Sequence, residues 1–345
     1  MDNYFELTSE DQIEILNTAS DQLGVSAQAI EKDIWVCQIL DICFSDKNSP
    51  LVFKGGTSLS KCYKAIDRFS EDIDITIDRA HFRPDLTINE LEMLSKTKRK
   101  EVSVELTQSA VTFAKEELVP RIKNKCIGGY KLEHNIDAQC GPEINIKYES
   151  ALQPNSYITP VVKVEYNCKN EIKPNDEIQI YTDLSEVVKG LDLPSPTVKC
   201  LSIYRTFWEK ITLIYDAIKR NRLSNNSIPP VNVPFSPGNN RLSRHWYDVY
   251  QLIEKGYSKK AISDYLDVFK DVIKVKNLLY PSGKTNYKDC IGGELFLTPE
   301  DTTGLERDYK AMQDNGMFSE EPPNFDHLIE KLKTLEAELN KLFSK

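Results

Sequence analysis

A polar–apolar alternation in the first quarter of the chain constrains its fold more than any other feature. Asp72, Asp74 and Thr76 alternate with three isoleucines, and a period of two residues is typical of a half-buried strand. Both carboxylates therefore point to one face of the predicted strand, and the isoleucines point to the other. Because two acidic side chains on one sheet face repel each other unless a cation lies between them, the pattern predicts a metal site.

The segment before this strand predicts an anion-binding turn. Residues 51–53 form an apolar run that indicates a buried strand, and Gly55 and Gly56 follow it. Glycines permit positive φ and close approach of a ligand to the backbone, while Thr57 and Ser58 are residue types that cap a helix. Free N–H groups and the helix dipole would face such a turn and favour phosphate. A Gly-Gly turn alone is more often only a tight turn, but the acidic strand one helix later favours the phosphate interpretation.

The composition is that of an ordinary folded protein. The 345 residues are 40% hydrophobic and 28% charged, which allows two domains or one large core. No run approaches the roughly 20 apolar residues of a membrane span, and the N-terminus lacks a signal-peptide pattern, so we expect a cytoplasmic protein without a membrane partner. Eight scattered cysteines and four histidines argue against a zinc framework and predict reduced thiols.

The net charge of −9 does not suggest a protein coated in nucleic acid. Local basic clusters nevertheless occur, and they are compatible with an RNA partner without supporting it strongly. The clusters lie within residues 96–100, 219–222 and 241–244.

Local patterns predict two N-terminal helices. A capping box begins at Thr8 and Gly24 ends the first helix, while Ser26 caps the second. Residues 31–36 of the second helix place charged side chains beside an apolar stripe. A solvated face next to a core stripe is the default interpretation of that segment.

Later segments change from strand patterns to helical patterns. Residues 126–183 predict a β meander, with alternation at 144–148 and 162–166. The sequence Pro194-Ser195-Pro196 marks a boundary, after which the chain reads as helices interrupted by a loop at 225–240 and ending in a leucine-rich bundle helix.

A glycine turn, an Asp-x-Asp strand and a third acid on a later strand suit nucleotidyl transfer. This reaction develops negative charge on several phosphate oxygens, and divalent ions stabilise the entering and leaving oxygens. Mg²⁺ prefers carboxylate and phosphate oxygens. Asp72 and Asp74 are therefore predicted to bind Mg²⁺ or Mn²⁺, and Glu165 is predicted to complete the coordination of one ion. Residues 55–58 are predicted to hold the triphosphate of an NTP.

Six segments in sequence order resemble motifs of one protein family. The chain is similar, over nearly its whole length, to the AbiEii/AbiGii toxin family of bacterial nucleotidyltransferases with a polymerase-β-like core. The combination is specific, although each segment alone would not be. The segments are residues 31–36, 54–61, 68–74, 205–212, 244–250 and 308–318.

The resemblance implies a mixed α/β (α+β) fold with a polymerase-β-like nucleotidyltransferase domain at 1–197 and a helical bundle at 198–345. It also implies two later catalytic residues, Lys210 and Asp248, expected to face the nucleotide from the helical part. Without that context Lys210 reads as a surface lysine, and Asp248 as a helix partner of Arg244. The implied metal ligands are Asp72, Asp74 and Glu165; the implied phosphate-binding residues are Gly55, Gly56, Thr57 and Ser58; further phosphate candidates are Lys61, Arg68 and Ser70.

The implied activity is transfer of NMP from an NTP to an RNA acceptor, by a toxin that is paired with a separate antitoxin protein. Some members of the family, the MenT-type toxins, add nucleotides to the 3′ end of tRNA, which makes that end the expected acceptor. Two alternatives stay open. One changes the acceptor to a protein side chain or a small molecule such as an aminoglycoside, and the net acidity favours it slightly. The other is a nucleotide-binding module that does not catalyse.

Overall fold

The computed structural model describes residues 2–137, 141–153, 158–224, 242–280 and 285–344. These residues form two compact units, and each unit draws on more than one stretch of chain. The first unit comprises residues 1–64, 69–87 and 104–201; the second comprises 65–68, 88–103 and 202–345. None of the helices in the described ranges combines the length and the apolar character that crossing a membrane requires.

A seven-stranded mixed sheet forms the centre of the first unit. The strands of this sheet are β2 (Leu51–Lys54), β3 (Ile73–Ile77), β4 (Tyr130–Asn135), β5 (Glu143–Tyr148), β6 (Val161–Asn167), β7 (Asn175–Gln179) and β9 (Thr197–Leu201). Their spatial order is β4-β5-β6-β3-β2-β9-β7, in which β3 pairs parallel with β6 and antiparallel with β2, and β2 pairs parallel with β9. A separate two-stranded parallel sheet joins β1 (Asp2–Asn3) to β8 (Leu191–Asp192).

Along the chain, helices precede and separate the strands of this sheet in the first unit. They are α1 (Ser9–Leu23), α2 (Ala27–Phe44), α3 (Gly55–Lys61), α4 (Arg79–Phe82), the later part of α6 (Lys96–Phe113), α7 (Val119–Lys125) and α8 (Leu184–Val187). A π-helical turn at Ala114–Leu118 lies between α6 and α7, and a 3₁₀ turn at Tyr4–Glu6 precedes α1.

The predicted caps of α1 and α2 are confirmed. The Thr8 hydroxyl accepts the Asp11 N–H, Gly24 ends α1 with φ +67°, and the Ser26 hydroxyl accepts the Ala29 N–H. Helix α2 packs against α1, α7, β6 and β9. The predicted solvated face of α2 is wrong, because three consecutive charged residues of this helix, Glu31–Asp33, are all buried.

The second unit is helical. Its elements are α5 (Ile88–Met93), α9 (Ile203–Ser224), α10 (Ser243–Glu254), α11 (Tyr257–Asp264), α12 (Leu266–Leu279), a 3₁₀ turn at Tyr287–Ile291, α13 (Thr303–Asp314) and α14 (Phe325–Phe343). Helix α9 packs against α10, α11 and α12, and α10 packs against α13 and α14. The indole of Trp208 in α9 stacks on Phe269 of α12, with ring centroids 4.2 Å apart.

Two sequence predictions need correction. The β meander covers only β4, β5 and β6, because β7 lies at the opposite edge of the sheet and pairs antiparallel with β9. In α14, Leu328, Leu332, Leu335 and Leu339 are buried, but Leu342 is 38% exposed and is not part of the packed stripe.

The mixed α/β fold class is confirmed. The division into domains at 197/198 stays a prediction, and the loop at 225–240 lies outside the described residues. The seven described cysteines are free thiols.

Candidate functional site

The predicted acidic strand is confirmed as β3, which lies inside the sheet between β2 and β6. Asp74 is in register with Glu165 of β6 and with Lys54 of β2. Ile73, Ile75 and Ile77 are fully buried, whereas Asp74 on the opposite face is half-buried. The Asp74 side chain therefore lies next to a carboxylate from the neighbouring strand, and Asp72, which directly precedes β3, stays a predicted member of the same face.

A fourth acid of this row was missed by the sequence reasoning. Glu143 is the first residue of β5 and is in register with Glu165. Lys163 Nζ lies 3.8 Å from a carboxylate oxygen of each of Glu143 and Glu165. The position of Glu143 beside Glu165 depends on the pairing of β5 with β6, and no local sequence pattern around Glu143 indicates that pairing.

The Thr57 hydroxyl of α3 hydrogen-bonds to the segment that directly precedes β3, and the Ser58 hydroxyl bonds within the turn. Thr57 Oγ1 lies 2.9 Å from Ser70 Oγ and donates to the Asp72 carbonyl oxygen at 2.5 Å. Ser58 Oγ donates to the Gly55 carbonyl oxygen at 2.9 Å. Because both hydroxyls are engaged within the protein, the part of this turn that suits an anion is its backbone N–H groups.

Gly55 is required where the chain passes Asp74. Its φ is +83°, in the left-handed region that glycine adopts without strain. A Cβ atom at this position would overlap Asp74 Oδ2 and would lie 2.8 Å from Asp74 Cγ. The first glycine of the turn therefore allows the Asp74 carboxylate to lie directly against the backbone.

Replacing Gly55 with alanine is expected to lower the free energy of unfolding by about 2–4 kcal/mol, from left-handed strain and overpacking together. Gly24→Ala is the matched control, since Gly24 also has positive φ but a Cβ there meets no atom within 4 Å. The control is expected to cost only about 1 kcal/mol. Denaturant unfolding of both variants measures the difference, and equal losses would show that Asp74 does not require the glycine.

The described part of the chain contains no group of three or more His, Cys, Asp and Glu side chains arranged to hold a metal ion. The carboxylates of Asp72 and Asp74 nevertheless supply the hard oxygen donors that Mg²⁺ prefers. Mg²⁺ is usually bound by one or two carboxylates together with substrate phosphates, rather than by a cage made only of protein atoms. The donor set on β3 fits that type of ion.

Lys61 lies at the last residue of α3, away from the glycine turn. Its ammonium lies 2.6 Å from Asp33 Oδ1 and 2.8 Å from Asp183 Oδ1. Burial lowers the pKa of Lys61, but the charges of Asp33 and Asp183 outweigh burial and raise the pKa above its ordinary value. Lys61 is therefore a buried ion-pair partner, and its direct contact with phosphate stays a prediction.

The two later predicted residues come together in the second unit, where a third residue joins them. Arg68 binds Asp248 through two hydrogen bonds, from Nε to Oδ1 at 2.6 Å and from Nη2 to Oδ2 at 2.8 Å. Lys210 Nζ donates to Asp248 Oδ2 at 2.6 Å. Asp248 is fully buried and Lys210 is only 6% exposed, so the surface-lysine interpretation of Lys210 is wrong. We call these three residues the Asp248 cluster.

Charge sets the protonation states in the Asp248 cluster. Burial alone would raise the pKa of Asp248, but the positive charges and hydrogen bonds of Arg68 and Lys210 hold that pKa well below its ordinary value. Burial lowers the pKa of Lys210, and the negative charge of Asp248 opposes this effect. Burial and the nearby charges of Lys210 and Arg244 also lower the pKa of His245 well below its ordinary value.

The C-terminal motif supports the same cluster. Asp308 Oδ2 accepts the N–H of Ser243, the first residue of α10, which carries Asp248. Phe318 forms a backbone bridge with Arg68. The predicted residues thus fall into two sets: the turn and acids within the first unit, and Arg68, Lys210 and Asp248 within the second.

The chain matches one protein-family model and is similar to a solved structure. Residues 38–331 match the family model described as "Nucleotidyl transferase AbiEii toxin, Type IV TA system". Among solved structures, the chain is similar to MenT4, a nucleotidyltransferase toxin from Mycobacterium tuberculosis H37Rv. That match has 13% sequence identity and a TM-score of 0.46, and it covers 98% of this chain and 100% of the other. No curated protein sequence matches significantly.

Proposed function

Since the chain belongs to the AbiEii family of nucleotidyltransferase toxins, of type IV toxin–antitoxin systems, we propose that it transfers NMP from an NTP to an RNA acceptor, the 3′ end of tRNA. The observation that supports the use of an NTP is the position of the Asp74 carboxylate, which lies against the Gly55 backbone and beside Glu165 on the next strand. Such a preformed acidic face is what phosphate chemistry with Mg²⁺ needs.

In this proposal Asp72 and Asp74 hold Mg²⁺ or Mn²⁺, and Glu165 contributes a third carboxylate. The bound ion supplies positive charge to the phosphate oxygens as they gain negative charge. Gly55, Gly56, Thr57 and Ser58 bind the triphosphate through backbone N–H groups, while the hydroxyls of Thr57 and Ser70 maintain the shape of the turn.

The reaction breaks a phosphoanhydride bond and forms a phosphodiester bond. The acceptor hydroxyl loses its proton to the solvent, its oxygen bonds to the α-phosphorus, and the bond from that phosphorus to the oxygen shared with the β-phosphorus breaks. Pyrophosphate leaves. The chain's own residues bind and orient the triphosphate so that the attacking and leaving oxygens are positioned for displacement.

Lys210 and Asp248 receive different roles. We assign Lys210 as the cation that contacts a phosphate oxygen, because an ammonium acts on phosphate as a point charge. Asp248 uses both of its carboxylate oxygens for Arg68 and Lys210, so it acts by keeping Lys210 protonated and oriented. Arg68 is proposed to act by holding the Asp248 carboxylate in place, and not by touching phosphate.

The acceptor is proposed from the family resemblance. The net charge of −9 favours a second candidate, a protein side chain or a small molecule, since RNA binding usually draws on a basic surface. Membership of a type IV system implies an antitoxin partner. The cytoplasmic location stays a prediction.

Incubation of the protein with each of the four α-labelled NTPs, Mg²⁺ and either total tRNA or total cell protein tests the proposal. We expect label on tRNA, with one NTP preferred, and release of pyrophosphate. Removing divalent ions with EDTA is expected to abolish the label, and added Mg²⁺ should restore it, because the carboxylates of Asp72 and Asp74 cannot neutralise phosphate themselves.

Periodate-oxidised tRNA, which lacks a free 3′ diol, is the matched control and should take no label. Label on protein alone, or on oxidised tRNA at the same level, would overturn the 3′-end assignment. Nucleotide binding without any transfer to either acceptor would support the non-catalytic alternative.

A further inference from the structure

Helix α2 buries three consecutive charged residues in the first unit. Glu31, Lys32 and Asp33 are 3%, 2% and 6% exposed. Burying charges is costly unless each of them has partners with good geometry, so the partners of these residues show what the helix holds in place.

Lys32 contacts the segments that directly precede two neighbouring strands, β3 and β6. Its Nζ lies 2.6 Å from Glu71 Oε2 and donates to the Thr159 carbonyl oxygen at 2.9 Å. Glu71 directly precedes Asp72 and lies two residues before β3 begins, while Thr159 lies two residues before β6 begins. One ammonium therefore links the segments that lead into the strands of Asp74 and Glu165.

Asp33, the next residue, holds the helix that follows the glycine turn. Asp33 Oδ1 lies 2.6 Å from Lys61 Nζ, and Asp33 Oδ2 accepts the Asp183 N–H at 2.7 Å. Lys61 is the last residue of α3, which begins at Gly55. A seven-residue helix is too short to be stable alone, so its position depends on such anchors.

We propose that Lys32 and Asp33 are positioning residues for nucleotidyl transfer: Lys32 sets the place of Asp72 and Asp74 through Glu71, and Asp33 sets the place of the glycine turn through Lys61. This inference rests on the proposed function. Neither residue touches the nucleotide. Both act by fixing irregular or short segments whose displacement by about 1 Å lowers the rate by up to about a hundred-fold.

Lys32→Met keeps the length and apolar stem of the side chain and removes only the ammonium. At a temperature where it is folded, we expect kcat to fall about ten-fold or more, with the NTP KM changed less than about three-fold, because misplaced acids impair the transition state more than substrate binding. Lys32→Arg should recover most of the loss. Asp33→Asn is expected to act in the same direction with a smaller loss, because Lys61 keeps Asp183 as a partner.

Glu31→Gln is the matched control. Glu31 is on the same helix and equally buried, but its carboxylate accepts from Ser150 Oγ and the Ala151 N–H, which lie just after β5 and ten or more residues before β6 begins. Its kcat should stay within about two-fold of wild type even where its melting temperature falls as far as that of Lys32→Met.

Several outcomes decide the matter. A folded Lys32→Met with wild-type kcat, or an equal kcat loss in Glu31→Gln, would overturn the positioning role. If Lys32→Met does not fold, Glu71→Gln decides, since it removes the partner's charge and keeps its shape: a ten-fold fall in kcat supports the role, and wild-type kcat overturns it. Absence of transfer by the wild-type protein would instead refute the proposed function itself.

Discussion

Asp74→Asn is expected to lower NMP transfer at least about a thousand-fold while leaving the protein folded. The carboxylate lies at the centre of an acidic row, in register with Glu165, and its oxygens lie against the Gly55 backbone. An amide of nearly the same shape keeps the packing but offers one neutral oxygen in place of two charged ones, so Mg²⁺ and the triphosphate lose their main anchor. Label transfer and circular dichroism measure the two effects.

Asp78→Asn is the matched control for this experiment. Asp78 directly follows β3, and its Oδ1 accepts the Ala80 N–H at the start of α4. Asparagine caps helices as well as aspartate does, so this variant should transfer NMP at the wild-type rate. A wild-type rate for Asp74→Asn, or an equal loss in both variants, would contradict a metal-binding role for the acidic face of β3.

The same substitution gives a growth phenotype as a second measurement. A toxin whose effect depends on transfer should lose growth inhibition when Asp74→Asn or Asp72→Ala is expressed at the wild-type level. Undiminished inhibition by both variants would show that the toxic effect does not depend on the acids of β3.

Sequence reasoning located the acidic strand because its signals are local. The two-residue period of β3, the glycines after β2 and the caps at Thr8 and Ser26 each involve residues a few positions apart. Such patterns report directly on backbone conformation. The order of the sheet is not local in this sense, and the place of β7 beside β9 is a pairing that no period in residues 175–179 encodes.

Buried charge is the feature that local patterns misread. Lys32 and Glu71 are 39 residues apart in sequence, and Arg68 and Asp248 are 180 apart. Each of these residues is of a charged type that usually lies on the protein surface, and only the folded chain supplies the opposite charge that allows it to be buried. The family resemblance identified Lys210 and Asp248 as important, but it did not reveal that Arg68 is their partner.

Asp248→Asn is the second substitution with a large expected effect. It leaves the charges of Arg68 and Lys210 buried without their counter-charge, and we expect the free energy of unfolding to fall by about 3–5 kcal/mol at pH 7. The pKa of Asp248 is lowered in the folded state, so its stabilisation is present above the unfolded-state pKa of about 4 and is lost as pH falls towards the folded-state pKa. The difference from wild type, measured by urea unfolding, should therefore shrink below about pH 4.

Removing all three charges of the Asp248 cluster separates stability from catalysis. In the triple variant Arg68→Met, Asp248→Leu, Lys210→Met no charge of the cluster remains to be buried unpaired, so its free energy of unfolding should return to within about 2 kcal/mol of wild type. Its transfer rate should stay as low as that of Lys210→Met alone, about a hundred-fold or more below wild type, because the cation proposed to act on phosphate is missing. Recovery of transfer in the triple variant would make the cluster purely structural. Persistent instability would mean that the loss in Asp248→Asn does not come from unpaired charge.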